Sequence, residues 1–297
     1  MKEGRASRTA LYAAGFRAVE NVRSPANSRL FEDPYACHFL DSKLRRYVRL
    51  AATPIVGGIA RDYIELMSAG AMSSGIARTR LIDDYLLDSL KNGISQVVLL
   101  GAGYDCRPYR LKELKNCSIV EIDHPSTQAA KVDGLKRIMN ALPGHVQFLG
   151  ADLAVDELEL ILQSSNLELK RPIFIIWEGV THYIGGAAVD KTLQTLSRLA
   201  AAGSRLVFTY IHNGLLDGSV DFEKSRIPLK RVTVAGEPWI YGLNPAILPA
   251  YLKSRGFSLI EDLGADDYRT RYWGGAGAKI HGFSFYRAAL AEVDNHK

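Results

Sequence analysis

"QVVLLGAGYDCRPYRL" occupies residues 96–111, and "EIDHP" follows at 121–125. An apolar run enters a glycine turn, and an acidic residue ends the next apolar run, which is how a nucleotide-binding βαβ unit begins. The third glycine of the dinucleotide fingerprint is missing, and Asp105, Arg107 and Arg110 crowd the turn instead. Around this unit the texture is repetitive. The apolar runs "QVVLLG", "SIVEI", "VQFLGADL", "PIFIIW" and "SRLVFTYI" are separated by longer amphipathic stretches such as "STQAAKVDGLKRIMNAL" and "AAVDKTLQTLSRLAA". Five such runs predict an α/β fold with a parallel sheet covered on both faces. "FSLIEDLG" and "GFSFYRAAL" near the end predict a closing pair of strands, the last antiparallel.

Upstream of residue 95 the spacing is helical. "SRTALYAAGFRAVENV" and "DPYACHFLDSKLRRYVRLAA" read as helices, with Asp33 as cap and Pro34 at the first helical position of the second. "AMSSGIARTRLIDDYLLDSLKNG" reads as an amphipathic helix closed by Gly93. Residues 212–244 fit neither period and carry many charges and aromatics, the texture of a binding loop or lid.

The bulk properties narrow the function. The chain has 297 residues, 47% of them hydrophobic and 23% charged, the balance of a soluble globular protein. No apolar stretch is long enough to cross a bilayer. Cys37, Cys106 and Cys117 lack paired metal spacing, so reduced thiols and no metal are expected. The formal charge of +5 is scattered, with one cluster, "KSRIPLKR", at 224–231. That suits a small anionic substrate better than nucleic acid, which needs a basic stripe. The opening "MKEGRASRTALYAAGFRAV" has the arginines and alanines of a transit peptide, which Glu3 and Glu20 oppose. Its apolar spacing also fits a helix packed on a domain, so a cytoplasmic protein is expected. A homodimer is left open.

The glycine turn indicates an adenosine ligand. Gly101 and Gly103 let the backbone approach a ligand, and Asp123 lies about 20 residues on, where a carboxylate reaches both ribose hydroxyls. Asp105 is unfavourable beside a pyrophosphate but suits a cationic amino group. S-adenosylmethionine has adenosine, an ammonium and no phosphate, so the residues favour methyl transfer over the hydride transfer of an NAD-dependent oxidoreductase. Asp152 in "LGADL" is placed to accept from the adenine amine, with Leu153 against the ring, and Glu178 in "FIIWEGVTHYI" ends the fourth run. Read alone, either acid is a helix cap or a solvated turn. Recurrence at successive strand ends points to a site.

These motifs, with "SGIARTRLIDDYL" upstream, "FEDPYACHFL" near the start and "GEPWIYGLNPAILPAYLKSRGFSLIEDLG" downstream, resemble the leucine carboxyl methyltransferase family. The resemblance runs from about residue 7 to about residue 287. It implies a class I methyltransferase core with a mostly parallel, Rossmann-like seven-stranded sheet and helices on both faces. It further implies a helical cap at 1–75, a core at 76–297 and a substrate lid after the fifth strand at about 212–244. On the matching positions it implies that Arg78 holds the methionine carboxylate and that Gly101 and Gly103 pass beneath the methionine. Asp123 would bind ribose, Asp152 and Leu153 adenine, and Glu178 would line the methionine end. Asp105, Arg107 and Arg110 match as well, either at the cofactor or as salt bridges bracing the turn. The compact length resembles members that methylate small metabolites, including secondary metabolites, rather than the branch with an added propeller.

A methyl ester on a carboxylic acid is the expected product, alongside S-adenosyl-L-homocysteine. A phenolic oxygen, nitrogen or carbon is the alternative acceptor atom. A carboxylate needs no base, only a positive or hydrogen-bonding clamp. Arg226, Lys230 and Arg231 are candidates to steer it, and Thr181 and Tyr183 to orient it. Another acceptor atom would call on His182 as base. Each has a plainer reading: His182 as a hydrogen-bonded turn residue, the cationic cluster as a solvated lid face. Trp239, Tyr241, Tyr272 and Trp273 either wall an aromatic pocket or pack structural elements together.

Overall fold

A computed structural model describes residues 7–23 and 25–295. Helices α1 (Arg8–Asn21), α2 (Ala36–Phe39), α3 (Ser42–Ala51) and α4 (Gly57–Ser68) precede the long α5 (Ala71–Lys91). Strands β1 (Gln96–Leu100), β2 (Ser118–Asp123) and β3 (Val146–Gly150) follow, with α6 (Arg107–Arg110) and α7 (Pro125–Lys136) between them. Then come α8 (Leu158–Gln163), β4 (Phe174–Trp177), α9 (Gly186–Leu199) and β5 (Arg205–Ile211). The last part holds α10 (Gly214–Asp217), α11 (Arg226–Ala235), α12 (Leu248–Lys253), β6 (Phe257–Gly264), α13 (Ala265–Trp273) and β7 (Tyr286–Val293).

The seven strands form one sheet in the order β3-β2-β1-β4-β5-β7-β6. β7 runs antiparallel to both neighbours, and the other pairings are parallel. Alternate strand residues feed two cores. Val98, Leu100, Ile175 and Trp177 pack with α8, α9 and α12, whereas Val97, Leu99, Phe174 and Ile176 pack with α5 and α13. Burial on both faces explains why these strands read as continuous apolar runs.

The helical layer differs from the sequence expectation at the second expected helix and at the boundary with the core. The segment expected as one helix from Asp33 breaks at Leu40, which is extended at ψ 146°. The Asp41 carboxylate accepts from Leu44 N at 2.8 Å and starts α3, so a new cap outcompetes continuation. Asp33 itself caps the first turn, accepting from Tyr35 N and Ala36 N at 3.2 and 3.0 Å. The boundary expected between residues 75 and 76 falls inside α5. One stretch of that helix serves both layers, since Met72 and Ile76 pack with α1 while Ala77 and Leu81 pack on the sheet. No described helix is long and apolar enough to cross a membrane.

Residues 212–244 make an excursion from the end of β5 that returns alongside it. Leu243 N donates to Ile211 O at 3.0 Å and Asn213 N to Leu243 O at 3.1 Å. Gly242 is required there, because a Cβ would lie 2.8 Å from Ile211 O.

Candidate functional site

β1 lies between β2 and β4, so the chain leaves these strands in opposite directions and opens a crevice at their carboxyl ends. Gly101 follows β1 and Glu178 follows β4. Gly101 and Gly103 have φ of +70° and +46°, a region closed to most side chains. A Cβ on Gly101 would overlap Val180 Cγ2, and one on Gly103 would sit 3.2 Å from Ala10 of α1. The turn is tied to β2 through Gly101 N and Ala102 N, which share Ile122 O at 2.8 and 3.1 Å. The Asp123 carboxylate accepts from Gly103 N and from His124 N. Burial raises the pKa of Asp123, and these two backbone donors oppose the rise.

Beneath the turn lies a charge-balanced set of three acids and three arginines. Arg107 Nε donates to Asp83 at 2.7 Å, and its Nη1 meets both Asp105 and Glu178. Arg110 Nη2 bridges both Asp83 oxygens at 2.7 Å. Arg78 Nε donates to Glu178 at 2.7 Å. Its other nitrogens make no hydrogen bond among the described residues, and its guanidinium lies 4.6 Å from the Tyr286 ring centroid. Burial alone would raise Asp105 and Glu178. The facing guanidiniums win, holding Asp105 at about 2 and Glu178 below the usual carboxylate range. Arg78 is 9% exposed and paired with Glu178, so it belongs to the interior of the site, not to the solvent face of α5.

Asp123 pairs in register with Gly150, which places Asp152 at the adjacent strand end. Asp152 accepts from Ala154 N at 3.0 Å, while Leu153 packs against the main core. After β4 the three candidates separate. Thr181 is fully buried and donates to Thr209 O at 2.6 Å, so its hydroxyl turns into the sheet. His182 sits in a hydrogen-bonded turn, its carbonyl accepting from Ile240 N at 2.9 Å, and its side chain is buried. Its ring centroid lies 4.3 Å from Tyr183, 5.5 Å from Trp239 and 5.4 Å from Tyr286. Burial, aided by the Arg78 charge, pushes His182 down to about 3. Burial moves the Tyr183 hydroxyl the other way, up.

The excursion splits its candidates too. Trp239 joins Phe283, Phe285 and Tyr286 in an aromatic cluster. Tyr241 instead lies on α9, where a Cβ on Gly186 would be 2.8 Å from its ring, and its hydroxyl meets Tyr251 at 3.2 Å. Tyr272 donates to Asp84 at 2.7 Å and Trp273 packs with α5, away from Trp239. Arg226, Lys230 and Arg231 are exposed on α11, because Pro228 and Val232 claim the inward face. They are not gathered at the crevice.

Several residues of the site carried no sequence signal. Arg17 on α1 pairs with Asp33 at 2.9 Å and donates to the carbonyl of Tyr104 in the glycine turn. Glu237 accepts from Arg8 N and Thr9 N at 3.2 Å and from the Thr9 hydroxyl at 2.6 Å. It thereby satisfies the open N-terminus of α1, whose next amide, Ala10 N, is taken by Ser7 Oγ at 3.2 Å. One signal was readable. Glu121 interrupts the apolar strand "SIVEID" and is buried in an ion pair with Lys131 at 2.7 Å.

Comparison with known proteins agrees with this architecture. A family model described as leucine carboxyl methyltransferase matches residues 10–197. A Streptomyces coelicolor protein, provisionally described as an S-adenosyl-L-methionine-dependent methyltransferase, is 38% identical over 211 residues, covering 69% of this chain and 66% of that relative. The chain thus spans slightly less than two thirds of that relative's length. The crystal structure of a DUF574 family protein from Streptomyces avermitilis superposes with a TM-score of 0.58 at 13% identity, over 98% of this chain and 99% of the other. A Thermobifida fusca protein, provisionally described as a methyltransferase, gives 0.58 at 15% identity, over 99% and 97%. These likenesses establish the mostly parallel, Rossmann-like fold of class I methyltransferases.

Proposed function

This chain belongs to the leucine carboxyl methyltransferase family, and on that premise we propose that it methylates a small carboxylic acid, with S-adenosylmethionine as methyl donor and a methyl ester as product. The donor site is the crevice between β1 and β4. Asp123 holds the ribose, a role suited to a carboxylate already fixed by two backbone amides. Gly101 and Gly103 form the cradle, where any Cβ would meet Val180 or α1. The balanced set of Asp83, Asp105, Glu178, Arg78, Arg107 and Arg110 suits a zwitterionic methionine end, with the free nitrogens of Arg78 facing its carboxylate. Asp152 and Leu153 flank the adenine. The excursion at 212–244 and α1 cover the crevice, joined through Glu237.

When bound, S-adenosylmethionine supplies a sulfonium-activated methyl group, and an acceptor oxygen forms the O–CH3 bond with its lone pair as the S–CH3 pair returns to sulfur, no proton being transferred. The chain's own residues exclude water and align the acceptor. One observation carries the choice of a carboxylate: among the described residues, no side chain gathered at the methionine end is set to remove a proton near neutral pH. Glu178 is pinned by two arginines, His182 stays neutral down to about 3, and the Tyr183 hydroxyl is held protonated by burial. An acceptor that arrives ionised needs none of them.

The test begins with calorimetric titration of wild type and Asp123→Ala with S-adenosylmethionine and with NAD. Binding of the first alone, in the micromolar range (about −8 kcal/mol), with marked loss in the variant, is expected. Carboxylic acids are then screened, and the product is treated with mild alkali. An alkali-labile methyl group supports the ester. An alkali-stable one assigns the methyl group to a phenolic oxygen, nitrogen or carbon and overturns it.

A further inference from the structure

The helical layer carries an exposed apolar surface outside the donor site. We propose that helix α4, flanked by the cations of α3 and α11, docks the protein on an anionic lipid surface, lying in the headgroup layer without spanning it.

The side chains of α4 that meet solvent are the apolar ones. Its inner side is held by Gly57, where a Cβ would lie 2.6 Å from Ala51 O, and by Arg61, which donates to the same carbonyl at 3.1 Å. Ile64 packs on the core shared by α1 and α5. The opposite side of such a surface helix is ordinarily polar. Here it presents Ile59, Tyr63, Leu66 and Met67, which fall within an arc of about 100° at 3.6 residues per turn. Ile55 and Val56 prolong the stripe past the helix start. Ile55, Ile59 and Leu66 are 89%, 70% and 66% exposed. Single exposed apolar residues are ordinary, whereas a contiguous stripe marks a surface of interaction.

The charge around the stripe selects the occupant. Lys43, Arg45, Arg46 and Arg49 are exposed on α3, which packs on α4. Arg226, Lys230 and Arg231 are exposed on α11, with Ile227 and Val234 among them. Among the described residues these cations form no ion pair, in contrast to Arg171, Lys191 and Arg198 elsewhere, which meet Glu168, Glu157 and Glu159. Near the stripe, Asp41 is engaged in capping α3, and Asp62 stands at one edge. Of the acids before α11, Glu223 meets Lys224 at 3.5 Å and Asp217 accepts from Ser219 N at 2.8 Å, while Asp221 is exposed. An apolar stripe rimmed by unpaired cations matches an anionic headgroup layer, which takes up the stripe and attracts the rim. A second copy meeting this face about a twofold axis would bring like charge to the same contact. A nucleic acid would leave the stripe uncovered.

The two cationic helices flank one structural joint. α4 reaches α5 through Ala69 and Gly70, both left-handed at φ +54° and +87°. A Cβ on Gly70 would lie 2.8 Å from Gly282 O, and one on Gly282 would lie 3.5 Å from the side chain of Lys224, just before α11. The buried Arg269 donates to Gly70 O and Gly282 O at 2.7 and 2.8 Å, which locks the joint. Tyr286, shortly after Gly282, lies opposite Ile211 at the end of β5. The docking surface therefore shares the carboxyl end of the sheet with the crevice.

The test is flotation of the full chain with vesicles of equal parts phosphatidylglycerol and phosphatidylcholine, and with vesicles of phosphatidylcholine alone. Binding to the anionic vesicles is expected to be at least about tenfold tighter than to the neutral ones, and to weaken in high salt. Ile59→Gln with Leu66→Gln, and separately Arg46→Gln with Arg49→Gln, should each lower it about tenfold. All these positions are exposed, so unchanged urea unfolding certifies the fold of each variant. Sedimentation velocity follows self-association in parallel. No vesicle binding, equal binding to the neutral vesicles, or wild-type binding in both variants overturns the proposal. A dimer that is lost in Ile59→Gln with Leu66→Gln, in a protein that ignores vesicles, overturns it too and assigns the stripe to a second copy.

Discussion

Glu237 receives the Thr9 hydroxyl at 2.6 Å, across 228 residues of sequence. With Arg8 N and Thr9 N also bound, the carboxylate clasps α1 from the opposite side of the crevice. Replacing it with alanine reopens two helix amides and removes a favourable charge at the positive end of the helix. Glu237→Ala is expected to lower stability by about 1–2 kcal/mol and to speed S-adenosylhomocysteine release in stopped-flow measurements. An unchanged release rate would show that the clasp does not guard the crevice.

Asp83 is 2% exposed and serves both Arg107 and Arg110. Asp83→Ala strands the Arg110 guanidinium in the interior and removes one of the three carboxylates facing Arg107, and should cost about 3–5 kcal/mol in urea unfolding.

Gly101→Ala combines two penalties, a left-handed backbone at φ +70° and overlap with Val180. Adding Val180→Ala should relieve the overlap and leave a residual loss of about 1–2 kcal/mol from the backbone. Full recovery in the double variant would mean that φ relaxes freely.

His182 gives a pH signature. Its folded pKa is lowered to about 3 from the ordinary 6.5, so the unfolded chain binds more protons between those values. The stability tied to neutral His182 is complete above pH 6.5 and declines as the pH falls, by about 1.4 kcal/mol per unit. Urea unfolding at pH 7 and pH 5 should show a smaller pH-dependent loss in His182→Gln than in wild type. Equal losses would contradict the burial argument.

The convergence of the glycine turn and the acid ending β2 was legible because its parts are local. Gly101, Gly103 and Asp123 sit on one βαβ unit, where spacing alone brings strand end and turn together. α11 was not expected, since 212–244 fits neither period as a whole; within it Pro228 and Val232, one helical turn apart, turn inward and send Arg226, Lys230 and Arg231 outward. The aromatic cluster was not legible, because Trp239, His182 and Tyr286 come from three segments brought together by the β4–β5–β7 pairings and the Ile240–His182 backbone bond. Thr181 shows the same limit. Its hydroxyl looks free in "EGVTHYI" and is claimed by Thr209 O on the neighbouring strand. The break of the second predicted helix turned on one competition, Asp41 capping Leu44 rather than continuing the turn.

The excursion at 212–244 departs and rejoins the sheet through the single Ile211–Leu243–Asn213 clasp. Because its two ends are already together, lengthening or exchanging the intervening residues adds little closure entropy, growing only with the logarithm of loop length. The strands that carry Gly101, Asp123 and Glu178 do not depend on that span for their register. The segment can therefore vary in length and sequence between homologues while the strands keep their register, provided its contacts through Glu237 to α1 and Ile240 to His182 are kept.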